Sequence, residues 1–167
     1  LGTKSFLFAS VIWLASCSAP FAPKVPRDKI PQQRSIEGRL PGKDWRESRP
    51  QYGEIQHFEH RYDPSTSIRL YWNPATDATY AERLLSSPAL STATIRENTT
   101  EILGGKSWQR VSIAFPNRVV MRLYIAIFED ATLHVQLTTN DETKLAIHAG
   151  SLRNYVENLT MRGEPVE

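Results

Sequence analysis

The chain has 167 residues, 40% hydrophobic and 23% charged, with a formal net charge of +2, which excludes a wholly disordered chain and a multi-span membrane protein and leaves room for one domain. The charge is unevenly spread: between residues 18 and 44 six cations face three anions, a net of +3, whereas from residue 45 onward 13 cations face 15 anions, a net of −2. A mildly acidic body argues against a nucleic-acid-binding face as the main purpose.

The first element is an apolar run. Lys4 precedes residues 6–15, of which only Ser10 is polar, and this matches the hydrophobic segment of an export signal. A membrane-crossing helix needs about 20 apolar residues, and Pro20 and Pro23 stop any extension. The run ends in Leu14-Ala15-Ser16-Cys17, which resembles the lipobox of bacterial lipoproteins. That resemblance implies a signal peptide over 1–16, cleavage between Ser16 and Cys17, and acyl chains on Cys17 that fix the mature protein to a membrane outside the cytoplasm. It also implies the periplasmic face of the outer membrane in a Gram-negative envelope, because Ser18 stands where an inner-membrane retention signal carries aspartate. The competing reading is a conventional signal cleaved after Ala19, or an uncleaved anchor with an incidental cysteine. Cys17 is the sole cysteine, so no intramolecular disulfide is expected and no thiol is left for nucleophilic catalysis.

Residues 17–44 read as a lipidated, proline-rich tether. Pro20, Pro23, Pro26, Pro31 and Pro41 interrupt any apolar period there, and extended chain at about 3.1 Å per residue would hold a domain roughly 80 Å from the lipid. The +3 charge of this segment also suits anionic headgroups.

A single α+β domain is expected over 45–167. Residues 55–62 and 67–72 read as two strands with Asp63-Pro64-Ser65 as the turn between them, and Ile68, Leu70 and Trp72 form an apolar row. A short helix over 77–86 follows, with Thr79 and Glu82 at capping-box spacing and Tyr80, Ala81, Leu84 and Leu85 on one face. Residues 92–98 are β-branched but broken by polar side chains. Three strands at 108–115, 119–128 and 132–138 then form an antiparallel meander with turns at Pro116-Asn117-Arg118 and Glu129-Asp130-Ala131. Val111, Ile113 and Phe115, then Met121, Leu123, Ile125 and Ile127, then Leu133, Val135 and Leu137 are expected to face inward together. Gly104-Gly105 suggests a bulge or close backbone approach. Thr139 and Glu142 again have capping-box spacing, and Leu145, Ala149, Leu152, Val156 and Leu159 form the stripe of an amphipathic helix that packs on the sheet before Gly163 and Pro165.

An antiparallel hairpin and meander packed against a C-terminal helix, with one short extra helix, resembles the PsbP/Mog1/DcrB-like α+β domains. Gly104-Gly105-Lys106-Ser107-Trp108 leading into a strand, and the final helix with Leu152 and Tyr155, carry the likeness. The resemblance implies a binding, assembly or adaptor module and no shared catalytic site.

Chemistry-bearing motifs are sparse. His57 and His60 fall three apart on a strand and so point to opposite faces; His134 is expected outward and His148 beside the helix stripe. The acidic pair Glu129-Asp130 reads as a solvated turn. Trp45, Trp72 and Trp108 are candidates for a ligand groove. No enzyme activity, metal or cofactor is therefore expected. The leading expectation is an envelope lipoprotein whose domain binds another envelope protein, as an assembly or immunity-type module. The alternative is a carrier of a small-molecule or cell-wall ligand in a pocket between sheet and helix.

Overall fold

Short turns between alternating apolar runs favour antiparallel neighbours, and the computed structural model, which describes residues 35–51, 53–73, 78–128 and 131–162, is built almost wholly of them. The strands are β1 (Ser35–Glu37), β2 (Trp45–Ser48), β3 (Glu54–His60), β4 (Asp63–Asn73), β5 (Thr94–Leu103), β6 (Lys106–Ala114), β7 (Val120–Phe128), β8 (Ala131–Thr139) and β9 (Thr160–Arg162). The helices are α1 (Tyr80–Leu85) and α2 (Glu142–Glu157), with a 3-10 turn at Pro88–Leu90. Seven strands form one open antiparallel sheet in the order β2-β3-β4-β8-β7-β6-β5. Only the β4–β8 seam joins strands that are not consecutive along the chain, so the sheet is two local meanders fused side by side.

Both faces of this sheet are covered, which corrects the single inward face expected from the sequence. Cross-strand register places Leu70, Val135, Tyr124 and Arg110 in one row and Tyr71, His134, Ile125 and Gln109 in the adjacent one, on the opposite face. Leu133, Val135 and Leu137 accordingly pack toward α2, with Ile68, Leu70, Leu145, Leu152, Tyr155 and Val156. Val111, Ile113, Met121, Leu123 and Ile125 pack on the other side, with Tyr80 and Leu84 of α1. Ile127 is about half exposed. Each fully buried aliphatic side chain stabilises by about 1.5–3 kcal/mol, so α2 is held by burial of its stripe rather than by intrinsic helicity.

The turns differ from expectation in instructive ways. The β3–β4 turn falls at Arg61 and Tyr62, and Asp63-Pro64-Ser65 opens β4. There the Asp63 carboxylate accepts hydrogen bonds from the Ser65 amide (3.3 Å) and hydroxyl (2.6 Å) and from the Thr66 hydroxyl (2.7 Å). These local bonds satisfy a stretch next to a register shift, where the missing amide of Pro64 costs nothing. The α2 cap is Asp141, not Thr139: its Oδ1 accepts from the amides of Thr143 (2.6 Å) and Lys144 (3.3 Å). Thr139 ends β8, where its buried hydroxyl donates to the Thr66 Oγ1 at 2.9 Å, the Thr66 proton being given to Asp63. The capping box of α1 is also absent, because Thr79 sits at ψ 1° and makes no side-chain cap bond.

Two boundaries move. The meander has four strands, since β5 runs the whole way from Thr94 to Leu103 and Gly104-Gly105 form its hairpin turn with β6. Both glycines have positive φ, +57° and +75°, as a two-residue turn of this type requires. The expected close approach is present too: a Cβ on Gly104 would lie 2.6 Å from the Glu157 carbonyl oxygen. The fold also begins before Trp45. β1 pairs with β9, Ile36 packs on the core, and a Cβ on Gly38 would collide with the Tyr155 ring. The last part of the expected tether is therefore structured.

No helix among the described residues is long and apolar enough to cross a membrane.

Candidate functional site

The residues singled out by sequence fall in three different settings. Ser16 and Cys17, the expected cleavage and lipidation positions, lie outside the described residues, as does the Glu129-Asp130 turn. Trp45, Trp72 and Trp108 are buried in the cluster beneath α2, at 2, 8 and 1% exposure, and so pack the core instead of lining a groove. The reason is register. Their strands turn these positions toward α2, and the Trp108 indole donates to the Leu103 carbonyl at 3.3 Å.

The histidines separate as their parity requires. His57 faces α1, and His60 faces the other way, where it meets Trp45 (ring centroids 5.3 Å) and His148 from α2 (4.5 Å). Burial, followed by the repulsion of His60, holds His148 below the ordinary imidazole range. His134 does point away from α2 as expected, yet α1 covers that face and leaves it 2% exposed. Burial pushes its pKa down to about 4. No group of three or more His, Cys, Asp or Glu among the described residues is arranged to hold a metal ion.

Around His57 the α1 face carries a polar cluster that sequence reading missed, because its members are spread over two strands and a loop. Glu54 Oε2 accepts from the Gln51 amide at 2.8 Å and lies 3.4 Å from His57 Nδ1. Its Oε1 accepts from the Tyr71 hydroxyl at 3.4 Å and pairs with Arg69 Nε at 3.5 Å. Tyr71 stacks on His134 at 5.1 Å, whose Nδ1 is 3.5 Å from the Tyr80 hydroxyl. Burial raises Tyr71 to about 12, with the Glu54 charge acting in the same direction. Burial lowers His57, against the opposing pull of Glu54. The Glu54 side chain is 1% exposed, so this cluster braces β3, β4 and the Gln51 loop and offers a substrate no open face.

A second polar array lies on the α2 face of the outer strands. Arg110 bridges Glu97 and Glu101, Arg122 reaches Glu97 at 3.8 Å, and Arg153 of α2 reaches Glu101 at 3.0 Å. The Ser112 and Tyr124 hydroxyls donate to the same two carboxylates at 3.1 and 3.2 Å. Hydrogen bonding to Arg110 and Ser112 outweighs the effect of burial and holds Glu97 below the usual carboxylate range.

The open surface is on the α1 side of the same strands. β5 is one edge of the sheet, and the α1 face beside it carries Ile95, Ile102 and Ile127 at 45, 74 and 53% exposure. Between this edge and α1 lies a cavity of about 340 Å³ whose walls include Ala78, Ala81, Asn98, Thr100, Gln109 and Ile127. None of its lining residues is charged, in contrast to the ion pairs on the reverse face. Apolar, hydroxyl and amide groups in this combination suit an uncharged peptide segment, whose backbone the amides and hydroxyls can hydrogen-bond.

No protein-family model matches the chain, and no curated protein does. Solved structures share the fold. Cyanobacterial PsbP (CyanoP) from Synechocystis sp. PCC 6803 is similar with a TM-score of 0.54 at 6% identity, over 78% of this chain and 93% of that one. LpqN of Mycobacterium tuberculosis, involved in cell envelope biogenesis, gives 0.52 at 16% identity over 78% and 85%. A Pseudomonas aeruginosa protein of unknown function, PA94, described as a putative regulator, gives 0.50 at 14% identity over 85% and 90%. At such identities the likeness is one of architecture: a PsbP-like α+β fold.

Proposed function

We propose that this chain is an envelope lipoprotein, anchored through Cys17, whose α+β domain binds another envelope protein as an assembly or immunity-type module. The observation that carries the reading is the uncharged groove between α1 and the β5 edge, flanked by exposed isoleucines on a sheet whose other face is closed by α2. An exposed apolar strip of this kind beside a sheet edge marks a contact surface. The occupant is an extended, uncharged segment of the partner. The lipobox sequence supports the anchoring, and LpqN, a fold neighbour involved in cell envelope biogenesis, is consistent with an envelope setting. Binding rather than catalysis is proposed because the deeply buried acid–base cluster around Glu54 is closed to substrates.

A carrier needs a pocket between sheet and helix. Leu152, Tyr155 and Val156 fill the middle of that interface against Phe58, Ile68 and Leu70, which leaves a carrier only the cavities at the two ends of α2, one beside Gln56 and Glu157 and one beside Arg96 and Glu142.

A photocrosslinker placed at Ile127 in the full chain, in intact membranes, tests the proposal. It should capture one recurrent envelope protein, and Ala81→Arg, which fills the groove, should abolish the product while Tyr62→Arg does not. Capture that is absent, or indifferent to Ala81→Arg, would contradict it.

A further inference from the structure

The two edges of the sheet are unlike. β2 is four residues long, with Arg46 and Glu47 exposed, the short charged edge by which sheets avoid self-pairing. β5 is ten residues long, and no strand among the described residues pairs with its outer side. Its residues are nearly symmetric about Thr99. A bulge at Arg96 shifts the register so that Ile95 lies opposite Ile113 and Ile102 opposite Ser107. Positions 107 and 113 lie an even number of residues apart on β6, so both isoleucines face α1. Read outward from Thr99, that face then carries Asn98 and Ile95 on one side and Thr100 and Ile102 on the other.

We propose that the β5 edge is an interface with a second copy of this chain, joined antiparallel about a twofold axis through Thr99. In that register Ile95 of each chain lies opposite Ile102 of the other, and Asn98 opposite Thr100, so every contact on the α1 face is made twice, as an isologous interface requires. Across the seam Ile102 meets the second copy's Ile95, which continues into that copy's Ile113. Ile95 and Ile102 each gain an apolar neighbour at the seam, while Ile127, two strands in on β7, stays at the groove. On the α2 face Glu97 lies opposite Glu101. These carboxylates are already held by Arg110, Arg122 and Arg153 of their own chain, so they meet across the seam as ion-paired groups and not as bare charges. Pairing would also set the two α1-side grooves next to each other across the seam. This inference goes beyond the binding reading and does not depend on any groove partner.

Directly opposed residues on antiparallel strands have Cα atoms about 4.5–5.5 Å apart, within the span of a disulfide. Thr99→Cys in the full chain carrying Cys17→Ser, so that the new thiol is the only one, should therefore self-crosslink on mild oxidation. The rate should exceed that of the exposed control Tyr62→Cys at least tenfold, and Ile102→Lys or Ile102→Thr should return it to the control rate. Sedimentation of the same Cys17→Ser chain without the introduced thiol should show a dimer that Ile102→Lys converts to monomer, with the circular dichroism spectrum unchanged. Crosslinking no faster than the control, faster crosslinking through Thr100→Cys than Thr99→Cys, or indifference to both Ile102 variants would overturn the proposal. Loss of the groove partner leaves all of these readouts unmoved, so the two proposals fail separately.

Discussion

Ile95 and Ile102 are seven residues apart on β5, a spacing that puts two side chains on opposite faces of a regular strand, yet both face α1. The shift at Arg96 is the cause, and an Arg96–Glu142 ion pair ties the bulged residue to the start of α2. One extra residue thus turns a polar, irregular segment into an edge with an apolar row on one face and an ion-paired row on the other.

The β5–β6 turn should be sensitive at one glycine more than at its neighbour. Both have positive φ, so alanine is strained at either by roughly 1 kcal/mol. Gly104→Ala adds a steric conflict with the Glu157 carbonyl, whereas Gly105→Ala enters open space. Urea unfolding should show the Gly104 variant losing clearly more stability, with equal losses contradicting the close approach.

Removing the buried carboxylate should be costly. Glu54→Ala deprives Arg69, Tyr71 and the Gln51 amide of a shared acceptor, and breaking such a buried pair costs about 3 kcal/mol. Denaturant midpoints of the variant and the parent chain measure this directly. A loss below about 1 kcal/mol would mean that the cluster does not brace β3 against β4.

His134 makes stability depend on pH in a defined window. Its folded pKa, about 4, lies below the ordinary value of 6.5, so the unfolded chain binds the proton more readily between those values. Stability from this group is full above pH 6.5 and falls as pH drops toward 4, by an amount on the order of 3 kcal/mol. The lowered values of His57 and His148 act in the same direction. Asp63, held low by the hydroxyls of Ser65 and Thr66 and by Lys144 against its partial burial, contributes above its unfolded pKa and is lost at more acid pH. His134→Phe should flatten the slope between pH 6.5 and 4, read from unfolding curves at several pH values. An unchanged slope would show that His134 is not buried as described.

The tryptophans test core against groove. Trp108→Ala should cost about 3–5 kcal/mol, because the indole is 1% exposed and hydrogen-bonded to Leu103. Thermal unfolding checks it, and a variant as stable as the parent would place Trp108 at a surface.

Much of the fold was legible because local physics decides it. The alternation in β6, β7 and β8, the polar turn at Pro116-Asn117-Arg118 and the stripe of α2 each follow from periods of two or 3.6. What could not be read was which face each row joins. Leu123 and Leu137 look equivalent along the chain, and only register sends them to opposite faces of the sheet. The capping threonines misled for a related reason: Thr79 and Thr139 have the right spacing to Glu82 and Glu142, but tertiary position gives the second cap to Asp141. The Glu54 cluster was illegible because its partners come from β3, β4 and a loop, with no motif linking them. The β5 edge was underread because its bulge breaks the alternation on which strand recognition rests.

Intact mass spectrometry of the protein extracted from membranes reads the proposed lipid tether on Cys17 in one step. The mass should be that of a chain beginning at Cys17 and carrying two or three acyl chains. A chain that keeps residues before Cys17, or begins there without added acyl mass, would contradict it.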